Sequence, residues 1–228
     1  MDQRKRIAIY GGTFDPVHSG HLEIARRVSQ LFEIDEFLFV PAHVAPHKQN
    51  AQVSSAISRY AMLALATQGD PRLCISTFEL EGRATQYTID TLRHFRAQFE
   101  KFADLFFVMG ADSWAEITSW RDWEMVLSLV NQIVVTRPGY EFSANHVGAE
   151  VAARVADVRG FEKERVSPLI APGRPKIFVT DVVMRDVSAT TVRQVANENR
   201  VDDLSELTTP EVAQYIIKYR LYRNTNEA

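Results

Sequence analysis

Arg6-Ile-Ala-Ile-Tyr10 runs directly into Gly11-Gly12-Thr13-Phe14-Asp15-Pro16-Val17-His18-Ser19-Gly20-His21, and Leu22 to Phe32 follows with helical character. The first segment has the length and apolarity of a buried strand, and the last has the length of a helix. A glycine pair between them lets the backbone approach a ligand with no Cβ in the way. The helix behind the loop directs its unpaired N–H groups at whatever sits there, and such an end favours anions. His18 and His21 are three residues apart and can share one face of the first turn. Strand, glycine turn, helix start and two imidazoles together look like a phosphate site. No Gly-Lys-Ser/Thr follows the glycines and no Gly-x-Gly-x-x-Gly is present, so neither a P-loop nor a dinucleotide fingerprint is found. Zinc on His-x-x-His would need further ligands. Cys74 is the only cysteine, and no other His/Cys cluster has ligand spacing, so no metal site is expected. Taken alone, the pair also fits two histidines capping a helix.

The bulk properties narrow the classes. With 228 residues, 46% of them hydrophobic, the chain can bury a sizeable core. A formal charge of -3 gives no footprint for nucleic acid. One cysteine excludes an internal disulfide framework and fits a reducing compartment, so a cytoplasmic location is expected. The apolar stretch ending at Gly11 is too short for a signal-peptide core, and nothing later approaches a membrane span. No membrane partner is expected, and self-association as a homo-oligomer is left open.

Strand-length apolar runs recur at Ile7–Tyr10, Glu36–Val40, Leu73–Phe78, Leu105–Met109, Gln132–Thr136 and Ile177–Asp181. Helix-length segments lie between several of them: Leu22–Phe32, Ser54–Thr67, Thr88–Phe99 and Trp123–Val130. Near-continuous apolar strands separated by helices predict a parallel sheet covered on both faces. Ligands bind such sheets at the carboxyl ends of the strands, which is where Gly11-Gly12 falls. Residues 140–175 read as an irregular surface connection with one helix over Val147–Val158. The tail after Ser188 reads as two helical pieces broken around Asp202–Pro210. Residues 1–187 are therefore expected to form the α/β core, with 188–228 a helical part packed on the same domain.

Other segments carry chemistry. In Val187-Ser-Ala-Thr-Thr-Val-Arg193, Ser188 is suited to N-capping. The first turn holds no carboxylate yet has Arg193, mildly unfavourable unless an anion sits there between hydroxyls, N–H groups and guanidinium. An arginine leaning into solvent is the competing reading. In Pro41-Ala-His-Val-Ala-Pro-His-Lys48 two prolines keep the loop extended and present Lys48 as a point charge, although most such lysines are merely solvated. Tyr87-Thr88 opens a helix whose N–H groups suit a carboxylate. Gly110 allows close approach of a nucleotide and Asp112 can accept from ribose hydroxyls; without context both are ordinary helix-start residues. Of Trp114, Trp120 and Trp123, two are expected in the core, with Trp120 the least core-like.

These motifs, spread from the first strand to Gln214-Tyr-Ile-Ile-Lys-Tyr-Arg-Leu-Tyr222, resemble the nucleotidyltransferase superfamily that carries a His-x-Gly-His signature. Within it they resemble the bacterial nicotinate mononucleotide adenylyltransferases. The resemblance implies a Rossmann-like parallel sheet with helices on both faces and a small C-terminal helical extension. It implies transfer of the adenylyl group of ATP to nicotinate mononucleotide, giving deamido-NAD and pyrophosphate. The catalytic set it implies is His18, His21, Lys48 and Arg193. Gly11, Gly12, Thr13, Phe14, Gly110, Asp112, Ser188 and Thr190 would bind ATP, and Thr88, Trp120, Arg121 and Arg137 the mononucleotide. Mg²⁺ would arrive with ATP and need no dedicated protein ligands.

A phosphate monoester with a second pKa of about 6 is largely ionised at neutral pH and needs no general base to attack. The absence of a triad or paired carboxylates fits such a nucleophile. The rival readings are an adenylyltransferase for nicotinamide mononucleotide or another phosphorylated acceptor, a nucleotide sensor without catalysis, and a zinc-binding module. Tyr87-Thr88 and Trp120-Arg121 favour a pyridine carboxylate, and the retained His18, His21, Lys48 and Arg193 disfavour a sensor.

Overall fold

The structure is a computed structural model, and it describes residues 4–43, 53–82, 86–137, 139–170, 173–182 and 187–223. Strand β1 (Lys5–Gly12) leads through the glycine loop into α1 (Ser19–Leu31), followed by β2 (Glu36–Pro41), α2 (Ala56–Thr67) and β3 (Leu73–Ile75). A short α3 (Phe78–Glu81) and α4 (Thr88–Phe99) precede β4 (Ala103–Gly110), α5 (Ala111–Ala115), α6 (Trp123–Leu129) and β5 (Asn131–Val135). Then come α7 (Ala149–Ala152), β6 (Val155–Asp157), α8 (Lys163–Val166), β7 (Ile177–Thr180), α9 (Ala189–Asn197), α10 (Val201–Leu207) and α11 (Pro210–Lys218).

The seven strands are all parallel, in the order β3-β2-β1-β4-β5-β7-β6. Strand order reverses at β1, so the crevice between the carboxyl ends of β1 and β4 is the switch point where such sheets take ligands. Period-2 alternation sends β1 side chains to two separate cores. Ala8, Phe37, Phe39, Phe106 and Val108 join a cluster with α1, α2 and α9 to α11. Ile7, Ile9, Leu38, Val40, Phe107 and Met109 join another with α4 and α6. Burying both faces of central strands is what makes their sequence read as unbroken apolar runs. The helices after Ser188 bury Val192, Val195, Leu204, Val212 and Ile216 in the first of these clusters. Among the described residues, no helix is long and apolar enough to cross a membrane.

Three expectations are corrected. The segment read as one helix over Val147–Val158 holds a 3₁₀ turn at Asn145–Val147, the four-residue α7 and then edge strand β6, which pairs with β7. Gly148 at φ 77° sits in the left-handed region and interrupts the helix, and Gly160 at φ 68° lies in the turn beyond β6. The tail contains three helices, because the expected break is occupied by α10. Thr209 then accepts from the Val212 N–H with Pro210 in the first turn, which opens α11. The third strand stops at Ile75, where Ser76 Oγ accepts from the Phe78 N–H and turns the chain into α3.

Candidate active site

The glycine loop is built around Phe14. Its φ of 49° is left-handed, an uncommon state for a residue with a Cβ, and its ring packs edge-on against Tyr10, His21 and Phe39. A Cβ on Gly12 would lie 2.9 Å from that ring, so glycine is needed there for a packing reason as well as for ligand access. A cis bond joins Asp15 to Pro16. Gly20 has the same role under His18, since a Cβ there would stand 3.1 Å from Nδ1.

His18 precedes α1 and is buried, while His21 lies in the first turn, partly accessible at the cavity wall. Their rings lie 3.6 Å apart, tilted by 30°. The His18 backbone N–H donates to His21 Nδ1 at 3.3 Å, which places the His21 proton on Nε2. Burial pushes His18 down from 6.5 to about 4. Burial, then the neighbouring His18, holds His21 well below its ordinary value. Both imidazoles are therefore neutral at pH 7 in the free protein, so His21 is a neutral N–H donor.

This has a consequence for stability. Between pH 6.5 and 4 the unfolded chain takes up a proton on His18 that the folded protein refuses, so stability rises with pH across that window. Acidification from pH 7 to 4 should remove about 3 kcal/mol through His18 alone. Urea unfolding at pH 7.5 and 5 checks this: His18→Asn should lose less stability than wild type on acidification, and equal losses would refute it.

Two cavities flank the end of β1, with Thr13 in the wall of both. The larger, about 630 Å³, brings together His18, His21, Asp112, Ser188, Thr190 and Arg193. Ser188 Oγ accepts from the Thr191 N–H at 3.1 Å and caps α9, as expected. Arg193 donates to the Asp15 carbonyl at 2.8 Å and to Thr190 Oγ1 at 3.1 Å, which draws the guanidinium to the histidine side. The smaller cavity, about 350 Å³, is lined by Gly11, Gly12, Thr88, Trp120, Arg121 and Glu79 among others. The Arg121 guanidinium lies 4.9 Å from the Tyr87 ring centre. Thr88 begins α4 after the extended Tyr87.

The sequence-derived site residues thus divide between two adjoining cavities. Gly11 and Gly12, read as ATP ligands, line the smaller cavity. Thr13, Phe14, Gly110 and Asp112 line the larger one, and so does Arg137, read as a mononucleotide ligand. Lys48 lies outside the described residues. Trp114 alone of the three tryptophans is fully buried; Trp120 and Trp123 are half-buried against the same core.

Four residues escaped the sequence reading. Arg59, 1% exposed, donates to the carbonyls of Ser54, Thr13 and His43 at 3.1, 2.8 and 3.1 Å. Asp15, 4% exposed, accepts from the Ser54 N–H at 3.1 Å and from the Tyr222 hydroxyl at 2.6 Å. Burial pulls Arg59 down, opposed by Asp15 and Tyr222. Burial and then Asp15 push Tyr222 up, so its hydroxyl stays a donor. Glu79 faces the smaller cavity. Asp15 lies inside the glycine loop and Tyr222 ends the C-terminal stretch Gln214–Tyr222, but the sequence assigns neither a role, and Arg59 and Glu79 carry no signal at all.

Cavities at the switch point of a parallel sheet, lined by a histidine pair and by a capped helix carrying arginine, make a site suited to a phosphate-bearing ligand. A sequence model of the family described as Cytidylyltransferase-like matches residues 9–195. A probable nicotinate-nucleotide adenylyltransferase of Mycolicibacterium vanbaalenii is 36% identical over 99% of this chain and 95% of its own. That of Corynebacterium glutamicum is 36% identical over 98% and 91%. Among solved structures, a Plasmodium falciparum nicotinic acid mononucleotide adenylyltransferase complexed with NaAD matches the fold with a TM-score of 0.71. It is 20% identical and covers 96% of this chain and 97% of that one. The chain belongs to the nicotinate-nucleotide adenylyltransferases within the Cytidylyltransferase-like family.

Proposed function

We propose that the protein transfers the adenylyl group of ATP to nicotinate mononucleotide, releasing pyrophosphate and deamido-NAD. The observation that carries this reading is the pair of cavities meeting at Thr13, one lined by His18, His21 and Arg193 and the other by Thr88 and Trp120. One suits a triphosphate and the other a flat ring bearing a carboxylate.

In this reading the mononucleotide's phosphate oxygen forms a bond to the α-phosphorus while the bond from that phosphorus to the β-bridging oxygen breaks. Pyrophosphate leaves with the electron pair. Positioning and charge neutralisation carry such chemistry. His21 donates from Nε2 to an α-phosphate oxygen, with His18 stacked behind it. Arg193, Ser188, Thr190 and the α9 N–H groups hold the leaving phosphates. Gly110 and Asp112 meet the nucleoside, and Arg137, from its wall, meets phosphate. Lys48 is proposed as a further phosphate ligand. In the smaller cavity Trp120 stacks on the pyridine ring, and N–H groups at Thr88 and Arg121 receive its carboxylate.

Among the described residues no group of three or more His, Cys, Asp or Glu side chains is placed to hold a metal. Asp15, a carboxylate of the larger cavity, is already engaged by Tyr222 and Ser54. Mg²⁺ carried by the triphosphate would offset phosphate charge there. A cytoplasmic location suits these substrates.

Pyrophosphate release with ATP and Mg²⁺, comparing nicotinate and nicotinamide mononucleotides, tests the assignment. Release with preference for the acid is expected. Equal use of both would remove the carboxylate-reading cavity, and release with neither would remove the activity.

A further inference from the structure

Glu79 is a carboxyl that the reaction above does not use. It sits on α3, where the turn after β3 swings it toward α4, and it lines the smaller cavity together with Thr88, Trp120 and Arg121. Thr91 Oγ1, on the buried side of α4, donates to Glu79 Oε1 at 2.6 Å. No hydrogen bond to Oε2 is formed among the described residues, and no arginine or lysine among them makes an ion pair with this carboxyl. Burial pushes it above the usual carboxylate range, the Thr91 bond opposing. A partly buried acid with no ion pair among the described residues, in the lining of a cavity, is a feature that structural packing alone does not call for.

We propose that Glu79 is a specificity-determining residue for the acceptor: in its neutral form it donates from Oε2 to the carboxylate on the acceptor's ring. The proposal rests on the acceptor assignment made above. Two carboxyls brought together away from water do not both stay ionised, and sharing one proton joins them. An amide in the same position meets the opposite requirement, because its NH₂ donates best to an ionised Glu79. The protonation state of one side chain therefore sorts the two ring substituents.

The charged and titratable neighbours come from each surrounding element. Glu81 is on the same helix. Asp90 and His94 are on α4, with His94 stacked on Phe78. Arg121 lies in the wall across from α3, over Tyr87. The His43 ring forms no side-chain hydrogen bond among the described residues; its Nδ1 lies 3.2 Å from the Leu80 carbonyl. None of them pairs with Glu79, so its own proton governs the contact.

The test is the ratio of kcat/KM for nicotinate over nicotinamide mononucleotide, followed from pH 6 to 9 in wild type and Glu79→Gln. Titration of the acceptor phosphate is common to both substrates and cancels. In wild type the ratio should fall by about tenfold or more as pH rises, the effect of losing one hydrogen bond to a charged group. In Glu79→Gln, whose amide always keeps a donor, the ratio should be independent of pH. Equal slopes in the two proteins, or a flat ratio in wild type, overturn the proposal. If the variant does not fold, calorimetry on wild type decides. Titrations in two buffers of different ionisation enthalpy should show proton uptake with the acid in excess of that with the amide, and equal uptake overturns it. Wild-type enzyme that turns over neither acceptor would overturn the activity itself, a different failure from turnover without the pH effect.

Discussion

His21→Ala should lower kcat by about 10² to 10³ while leaving the affinity for ATP within a few-fold, the usual penalty for removing one donor aimed at developing charge. The donor is fixed before substrate arrives, since the His18 N–H holds Nδ1 and leaves the proton on Nε2. An imidazole kept neutral by burial has little to gain from a distant anion and most to gain when an oxygen at hydrogen-bond distance acquires charge. Steady-state kinetics with saturating mononucleotide separate the two effects. A variant whose kcat is unchanged, or whose loss is wholly in the KM for ATP, would take His21 out of this role. His21→Asn, which can place an N–H near the same point, should recover part of the rate.

The second large effect falls on stability. Arg59→Met keeps the apolar stem but removes the guanidinium that donates to Thr13, His43 and Ser54. It strands three carbonyls and takes the cation away from buried Asp15. Breaking a buried charged cluster in this way costs about 3 to 5 kcal/mol, lowering Tm on the order of 10 °C in a chain of this size. Differential scanning calorimetry measures it. A Tm within about 2 °C of wild type would mean that water or a rearranged loop replaces the guanidinium. Arg59→Lys should fall between, since an ammonium cannot fork to three acceptors in fixed directions.

How much of this was legible depends on the range over which each feature is encoded. β1, the glycine loop and α1 are contiguous, and their burial on both faces leaves an unbroken apolar run that no helix-length pattern imitates. The Ser188 cap was legible for the same reason, because an N-cap acts within three residues. Val147–Val158 was misread because an Ala/Val-rich window satisfies both periods. Left-handed Gly148 separates the 3₁₀ turn from α7, and β6 is drawn out of the window by its pairing with β7, which lies farther along the chain. Arg59 and Thr13 are 46 positions apart, and nothing near Arg59 in sequence marks it as buried. Glu79 carries no local signal, since only the fold brings α3 against α4. Arg137 was recognised, but which wall it stands in follows from the sheet order and not from its own neighbourhood.

The bond between Asp15 and Tyr222 spans 207 positions. A ribosome adding about 5 to 20 residues per second delivers the second partner some 10 to 40 s after the first. During that interval the glycine loop and both histidines exist without Tyr222 to hold Asp15, and without Arg193 for most of it. The loop that carries the two histidines is thus made long before the residue that latches it. A nascent chain that stalls before Tyr222 emerges would carry every histidine and still have an unlatched loop.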